Sequence, residues 1–429
     1  MNTPRKPPAD MVSLSPQLVK LGMQLEFSLY DENGHMLLAK EQTVDSPRIL
    51  AKLHALPALY ADRVEAREPI KSVMESLDRA RYRNAPLKDL DALRRKTKEP
   101  VSANTPKSLP QAWSDLESRL RAVQGGLARD PDSAALALER LDGLNQTLSK
   151  LMGRYAKESL FLLFNRSITD FAGYSTSHSL LCAALGQALS PNLGLDESEQ
   201  GVLCCAALTM NLSVKSLQDT MAVQKLPPSR EQLADIDRHP ILSANLLRTA
   251  GVDNRLWLDT VAMHHDPLPS TPRPGKSGQT ERLAGVLQVI DRYTAALSPR
   301  GSRPGRDGKE ATRSVIKDAR GNTNNEAGLA LLLTLGLYPP GSFVRLASGD
   351  VAVVLQPGRR PNEAHVSTVV NKRGEPVGMP RILDTANPEY AIGEGVSGSD
   401  VRVRLNEDFM LRQVSALRRG PDFAPSSFA

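Results

Sequence analysis

The chain has 429 residues, enough for two or three domains with a sizeable core. Its apolar content of 40% argues for a folded chain, and aromatics of only 4% point to an aliphatic, helix-built core. An excess of 54 Lys and Arg over 48 Asp and Glu gives a net charge of +6, mild for this length, and no zinc-finger or RNP signature singles out nucleic acid as a partner. No run of about 18 uncharged apolar residues predicts a membrane span. The opening "MNTPRKPPAD" lacks the apolar stretch of a secretory signal, so a cytoplasmic protein is expected. Cys182, Cys204 and Cys205 sit in apolar helical contexts without CxxC spacing and read as buried thiols.

Residues 1–11 read as a disordered leader. Residues 12–65 read as a small β-rich accessory module. Within it "MQLEFSLYDENGHMLLA" places two alternating runs around a "DENG" turn, and "SPRILAKLHAL" opens a short helix with an N-cap serine and a proline at the first helical position. Residues 66–110 are charged and proline-rich, with a helix near 70–82 followed by a linker. Residues 111–337 are helical throughout, with apolar residues at three- and four-residue steps. The stretch 111–165 fits either a dimerisation or relay element or a helical hairpin that extends the core. Residues 338–408 change to a period of two: "SFVRLASGDVAVVLQ" predicts a hairpin turning at "SGD", and "HVSTVVNKRGEPV" another turning at "KRGE". Residues 409–429 form a tail with one short amphipathic piece. Residues 1–11, 84–109 and 413–429 are expected to be loosely packed, because they lack periodic apolar positions.

The helical block contains four histidines, His178, His239, His264 and His265, and an aspartate, Asp291, in its last strongly apolar helix. Histidine and aspartate are ordinary ligands for iron, manganese or zinc, and helical bundles build metal sites from inward-facing side chains of several helices. Each residue alone also fits a capping or hydrogen-bonded core role. The basic run Arg300–Lys309 fits either a solvated loop or contact with phosphates.

In their order, these segments resemble the HD-GYP domain, a branch of the HD metal-dependent phosphohydrolases. The segments are "YSTSHSLLCAALGQAL", "CCAALTMNLSVKSLQD", "RHPILSANLL", "WLDTVAMHHD", "VLQVIDRYTAALSPR" and "LGLYPPGSFVRLASGDVAVVL". The resemblance implies a mainly α fold, an HD-domain helical bundle carrying a small N-terminal β-rich module and a C-terminal β-hairpin extension. It implies hydrolysis of cyclic di-GMP at an iron or manganese centre, with His178, His239, His264, His265 and Asp291 as ligands. Arg300 and Arg303 are the matching candidates for phosphate contact.

The sequence also departs from the family's pattern. Met210 and Asn211 stand where the family has its His-Asp dyad. Asparagine cannot bridge two ions through two charged oxygens, and a thioether suits hard divalent ions poorly. Val214 takes the signature lysine position, with Lys215 one step on. Tyr174 replaces an acidic residue, and "DPLPSTPRPGKSG" replaces the loop that carries GYP. These departures imply a degenerate signalling protein with no catalytic residue assigned. It would hold at most one Fe or Mn ion at a vestigial site, and it would act by binding a protein partner or cyclic di-GMP, with a homodimer open. The alternative is an active phosphodiesterase with an atypical metal site.

Overall fold

The computed structural model describes residues 108–128, 131–170, 173–267, 275–316 and 325–419, together with scattered residues between 11 and 62. Residues 1–10 of the leader expected over 1–11, residues 66–107 of the helix and linker expected over 66–110, and the last ten residues of the tail lie outside the described residues. The chain divides into two compact units, Met1–Asn104 and Thr105–Ala429.

The first unit is a small antiparallel sheet. Strand β1 (Met11–Leu14) pairs β4 (Leu59–Asp62), and β2 (Leu29–Tyr30) pairs β3 (Met36–Leu38) across the expected "DENG" turn, in the order β1-β4-β2-β3. Among the described residues its buried core is aliphatic, Val19, Leu25, Leu29, Leu38, Val44, Leu53 and Leu59, with the partly buried Phe27 packed against it.

The second unit opens with a helical hairpin. Ser108 caps α1 (Leu109–Leu127), and Trp113, Leu116, Leu120, Val123 and Leu127 form its buried stripe at three- and four-residue steps. The antiparallel partner, α2 (Pro131–Thr169), breaks at Tyr155, where φ −133° and ψ 38° are not helical. Trp113 donates its indole N–H to Ser159, 3.0 Å away, which fixes the register of the pair.

Helix α3 (Tyr174–Leu193) is buried on nearly every face, as expected for a central helix without a polar side. Around it lie α4 (Glu197–Thr209), α5 (Lys215–Val223), α6 (Arg230–Thr249), α7 (Arg255–Met263) and α8 (Lys276–Leu297), followed by α9 (Gly308–Ile316) and α10 (Glu326–Leu335). Capping boxes, Asp196 with Glu199 and Ser229 with Gln232, start α4 and α6. Among the described residues no helix is long and apolar enough to cross a membrane.

The C-terminal part is a five-stranded antiparallel sheet of order β8-β7-β6-β5-β9. It comprises β5 (Phe343–Leu346), β6 (Val351–Pro357), β7 (Ala364–Val370), β8 (Ile382–Asp384) and β9 (Ile392–Val396). Gly341, in the "YPPG" approach to β5, has φ +83°, and a Cβ there would lie 2.5 Å from the Phe161 carbonyl; glycine alone permits α2 to come so close. The fold is thus mainly helical with small sheets toward both ends. One boundary differs from expectation. Helix α11 (Glu407–Arg419) packs Met410, Leu411 and Val414 into the core, so residues 413–419 are not loose.

Candidate metal centre

The cluster contains two histidines held in the same way. His239 is followed by Pro240 inside α6. Proline has no N–H, so the carbonyl four residues back, that of Ile236, loses its helical donor. His239 Nδ1 lies 2.5 Å from that oxygen. His264 caps the C-terminus of α7, where the last carbonyls lack helical donors. Its Nδ1 lies 2.6 Å from the Val261 oxygen. Each Nδ1–H therefore donates to a carbonyl that the helix leaves free, and each Nε2 is left as a bare lone pair.

Both rings are buried, and neither Nε2 has a hydrogen-bond partner. Burial pushes the pKa of His239 down to about 4 and that of His264 down to about 3, so both are neutral, the form that ligates metal. The rings of His239, His264 and His265 meet edge-on or tilted, with centroids 4.5 to 5.0 Å apart. One nitrogen from each falls within 4.8 Å of the others. Gln288 of α8 fixes the paired-histidine turn by donating to the carbonyls of His264 (2.9 Å) and Asp266 (3.0 Å).

The other half of the cluster is already satisfied. Tyr174, His178 and Cys182 lie at four-residue steps on one face of α3. His178 Nε2 is 2.8 Å from Asp291 Oδ1, and its Nδ1 is 3.1 Å from the Tyr174 hydroxyl. Burial opposes a charge on His178, but Cys182, Tyr174 and Asp291 together hold its pKa well above the ordinary value. Burial likewise opposes the Asp291 charge, yet His178 and His265 hold its carboxyl well below the usual carboxylate range. The buried His178 and the half-buried Asp291 form an ion pair. The second oxygen of Asp291 lies 3.7 Å from His265 Nε2, which joins the halves.

Met210 and Asn211 end α4, both buried. The 3-10 turn that follows, Leu212–Val214, is pinned to α6: the Ser213 hydroxyl donates to the His239 carbonyl at 3.2 Å. The Asn211 amide nitrogen is buried without a partner. Val214 is buried and Lys215 half-buried.

Two arginines of the basic run, Arg300 and Arg303, are engaged. The Arg300 guanidinium stacks 3.6 Å from the centre of the Tyr174 ring, which itself stacks on His178. Arg303 donates to the carbonyls of Ala295 (2.9 Å), Ser298 (3.3 Å) and Pro304 (3.2 Å), closing the C-terminus of α8.

The cluster therefore brings together His178, His239, His264, His265 and Asp291, and the bare nitrogens test its fitness for a cation. A buried acceptor without a partner costs roughly 1–3 kcal/mol, and a bound cation removes that cost. The donor set of imidazoles and one carboxylate suits iron, manganese or zinc. Sequence reasoning missed the residues that aim these ligands, namely Pro240, Gln288 and Ser213. Of these only Pro240, directly after a histidine inside a helical pattern, carried a readable signal.

Imidazoles and one carboxylate thus converge from several helices on a buried centre, in the motif order that resembles HD-GYP proteins. The cyclic di-GMP phosphodiesterase PA4108 of Pseudomonas aeruginosa is 27% identical over 185 residues, 43% of this chain and 44% of that protein. The cyclic di-GMP phosphodiesterase PdeB of Borreliella burgdorferi is 21% identical over 203 residues, 46% of this chain and 53% of that protein. The chain thus spans about half the length of these curated relatives. A solved structure, Bd1817, an HDG"Y"P protein from Bdellovibrio bacteriovorus, aligns at 14% identity with a TM-score of 0.41, covering 76% of this chain and 99% of that one. No family model matches.

Proposed function

We propose that this chain is a cyclic di-GMP signalling protein in which the two-metal hydrolytic centre has degenerated, and that it acts by binding cyclic di-GMP or a protein partner in the cytoplasm. The observation that carries this reading is Asn211. A two-metal hydrolase needs a charged carboxylate to bridge its ions, and the family's bridging position here holds a neutral amide whose buried nitrogen has no partner. The 2.8 Å contact of His178 Nε2 with Asp291 supports the same reading, since a nitrogen engaged by the carboxylate is not free to ligate.

What survives fits a single ion, with His239, His264 and His265 as holders and Asp291 beside them. When bound, such an iron or manganese ion would supply positive charge to a phosphate oxygen. The chain's own residues supply the rest. Gln288 and the two free carbonyls orient the imidazoles, and Arg300 with Tyr174 covers His178.

A second reading, an active phosphodiesterase with an atypical site, is favoured by the bare lone pairs of His239 and His264 and by the names of the two relatives. The test is a metal analysis of purified protein beside a cyclic di-GMP hydrolysis assay under saturating Mn²⁺ or Fe²⁺. The expected turnover is far below about 1 s⁻¹, the low end of ordinary enzyme rates. Turnover at that rate, abolished by His264→Ala, would establish the second reading.

A further inference from the structure

Between the C-terminal sheet and α11 the chain runs from Val401, whose backbone is extended (φ −98°, ψ 106°), to Asn406, with the sequence VRVRLN, and belongs to no helix or sheet. Among the described residues, the main-chain groups of Arg402, Val403, Arg404 and Leu405 make no hydrogen bond to other backbone. The side chains alternate as in a strand: Val401 and Leu405 pack on the helical core, while Arg402 and Arg404 are exposed. All six residues line a groove of about 1070 Å³, whose other walls include the end of α2 and the start of α3. An unpaired extended run beside an open groove is an edge that accepts another strand.

Charge decides what it accepts. The acids of the groove are engaged or locally favoured. Glu407 takes two bonds from Arg166, Glu117 pairs with Arg121, and Asp170 has a partner. Asp408 lies in the first turn of α11, where the helix terminus favours a negative charge. Arg402 and Arg404 have no carboxylate partner among the described residues. A second copy pairing antiparallel about Val403 would set Arg402 opposite Arg404 of the other chain, and like charges facing across strands are destabilising.

We propose that this edge receives an extended acidic segment of a partner protein by main-chain pairing, with carboxylates two residues apart facing Arg402 and Arg404. The inference gives chemistry to the partner binding proposed above, and it makes no use of the histidine cluster.

The test is fluorescence anisotropy of a labelled peptide of alternating Glu and Val against the full chain, without metal or nucleotide. Saturable binding is expected, weakened at least tenfold when alternate peptide amides are N-methylated. The Arg402→Glu, Arg404→Glu double variant, shown to be folded by its thermal melt, should weaken it at least as much. Val403→Pro, which fixes the backbone at the centre of the edge and removes one N–H, should also weaken binding. The proposal is overturned if the Glu-Val peptide does not bind, if the methylated peptide or an alternating Lys-Val peptide binds equally well, or if the chain instead self-associates through an edge that Val403→Pro disables. Because metal and nucleotide are absent, none of these results bears on the reading of the histidine site.

Discussion

His239 and His178 are both buried in the same cluster, yet they are held in opposite states. His239, like His264, spends its N–H on a carbonyl that the helix leaves free, and it keeps a bare, neutral Nε2. His178 is bonded at both nitrogens, to Asp291 and to Tyr174, and its pKa is held well above the ordinary value. The difference lies in the partner. A carbonyl fixes a tautomer without stabilising a positive charge enough to offset burial, whereas around His178 Cys182, Tyr174 and the Asp291 carboxylate at 2.8 Å together do offset it. One half of the site is therefore open to a cation and the other is closed by an internal ion pair.

The largest expected effect comes from rebuilding the missing dyad. Met210→His with Asn211→Asp places a carboxylate in a buried turn, which costs several kcal/mol if it stays unpaired. Without metal the double variant should melt well below the parent, and Mn²⁺ should restore much of the loss, because binding to the folded state alone adds stability. Equal metal-induced shifts in parent and variant would mean that position 211 does not face the open half. Restored hydrolysis is not expected, since the displaced lysine and the rewritten loop after His265 remain.

The next effect separates the two halves directly. His264→Ala removes a bare Nε2 and should reduce Mn²⁺ affinity, read by calorimetry, by more than about 100-fold. His178→Ala should reduce it by no more than the roughly 10–100-fold typical of a group outside the ligand set. Equal losses would show that His178 leaves its ion pair to ligate.

Acid stability should differ in sign between the halves. The folded pKa values of His239 and His264, about 4 and about 3, lie below the value of roughly 6.5 for an unfolded histidine. As pH falls below 6.5 the unfolded chain therefore takes up protons first, and stability is lost progressively down to about pH 4 for His239 and about pH 3 for His264. The slope is about 1 kcal/mol per pH unit for each histidine. His178 works the other way: its contribution is full below pH 6.5 and is lost as pH rises through its raised folded value. Urea unfolding of metal-free protein at pH 7, 6 and 5 should show the acid-side slope, and His264→Gln should flatten it. An unchanged slope in that variant would place the acid sensitivity elsewhere.

Much of this arrangement was legible before the fold. Helical periodicity located the bundle, and the motif order located five residues that the structure brings to one cluster. The alternation after Phe343 located the C-terminal hairpins. What was illegible depends on partners far away in sequence. The commitment of His178 to Asp291 spans 113 residues, and no local pattern announces it. The capping role of Arg303 depends on how its loop folds back on α8. The break at Tyr155 falls within an unbroken helical pattern. Strand β9, IGEGV, carries two glycines and weak alternation, and it is a strand because β5 offers it an edge.

The smallest expected effect concerns Tyr174, the residue that closes the satisfied half. Tyr174→Phe removes the hydroxyl that faces His178 Nδ1 at 3.1 Å but keeps the ring that stacks between His178 and Arg300. The Thr294 hydroxyl lies 3.4 Å from the same nitrogen and can take over part of the bond. The loss should therefore be about 1 kcal/mol or less, seen as a small drop in melting temperature. A downward shift of the His178 titration, followed by NMR of its ring proton, should accompany it, because a protonated imidazole loses an acceptor. Arg300→Ala, which deletes a stacking contact of roughly 0.5–1 kcal/mol, should give a similar drop without moving the titration downward. Mn²⁺ affinity should be unchanged in both variants, since His239 and His264 touch neither residue through a hydrogen bond. A loss of Mn²⁺ binding in Tyr174→Phe as large as that in His264→Ala would mean that the two halves act as one site, and the division drawn between them would fail.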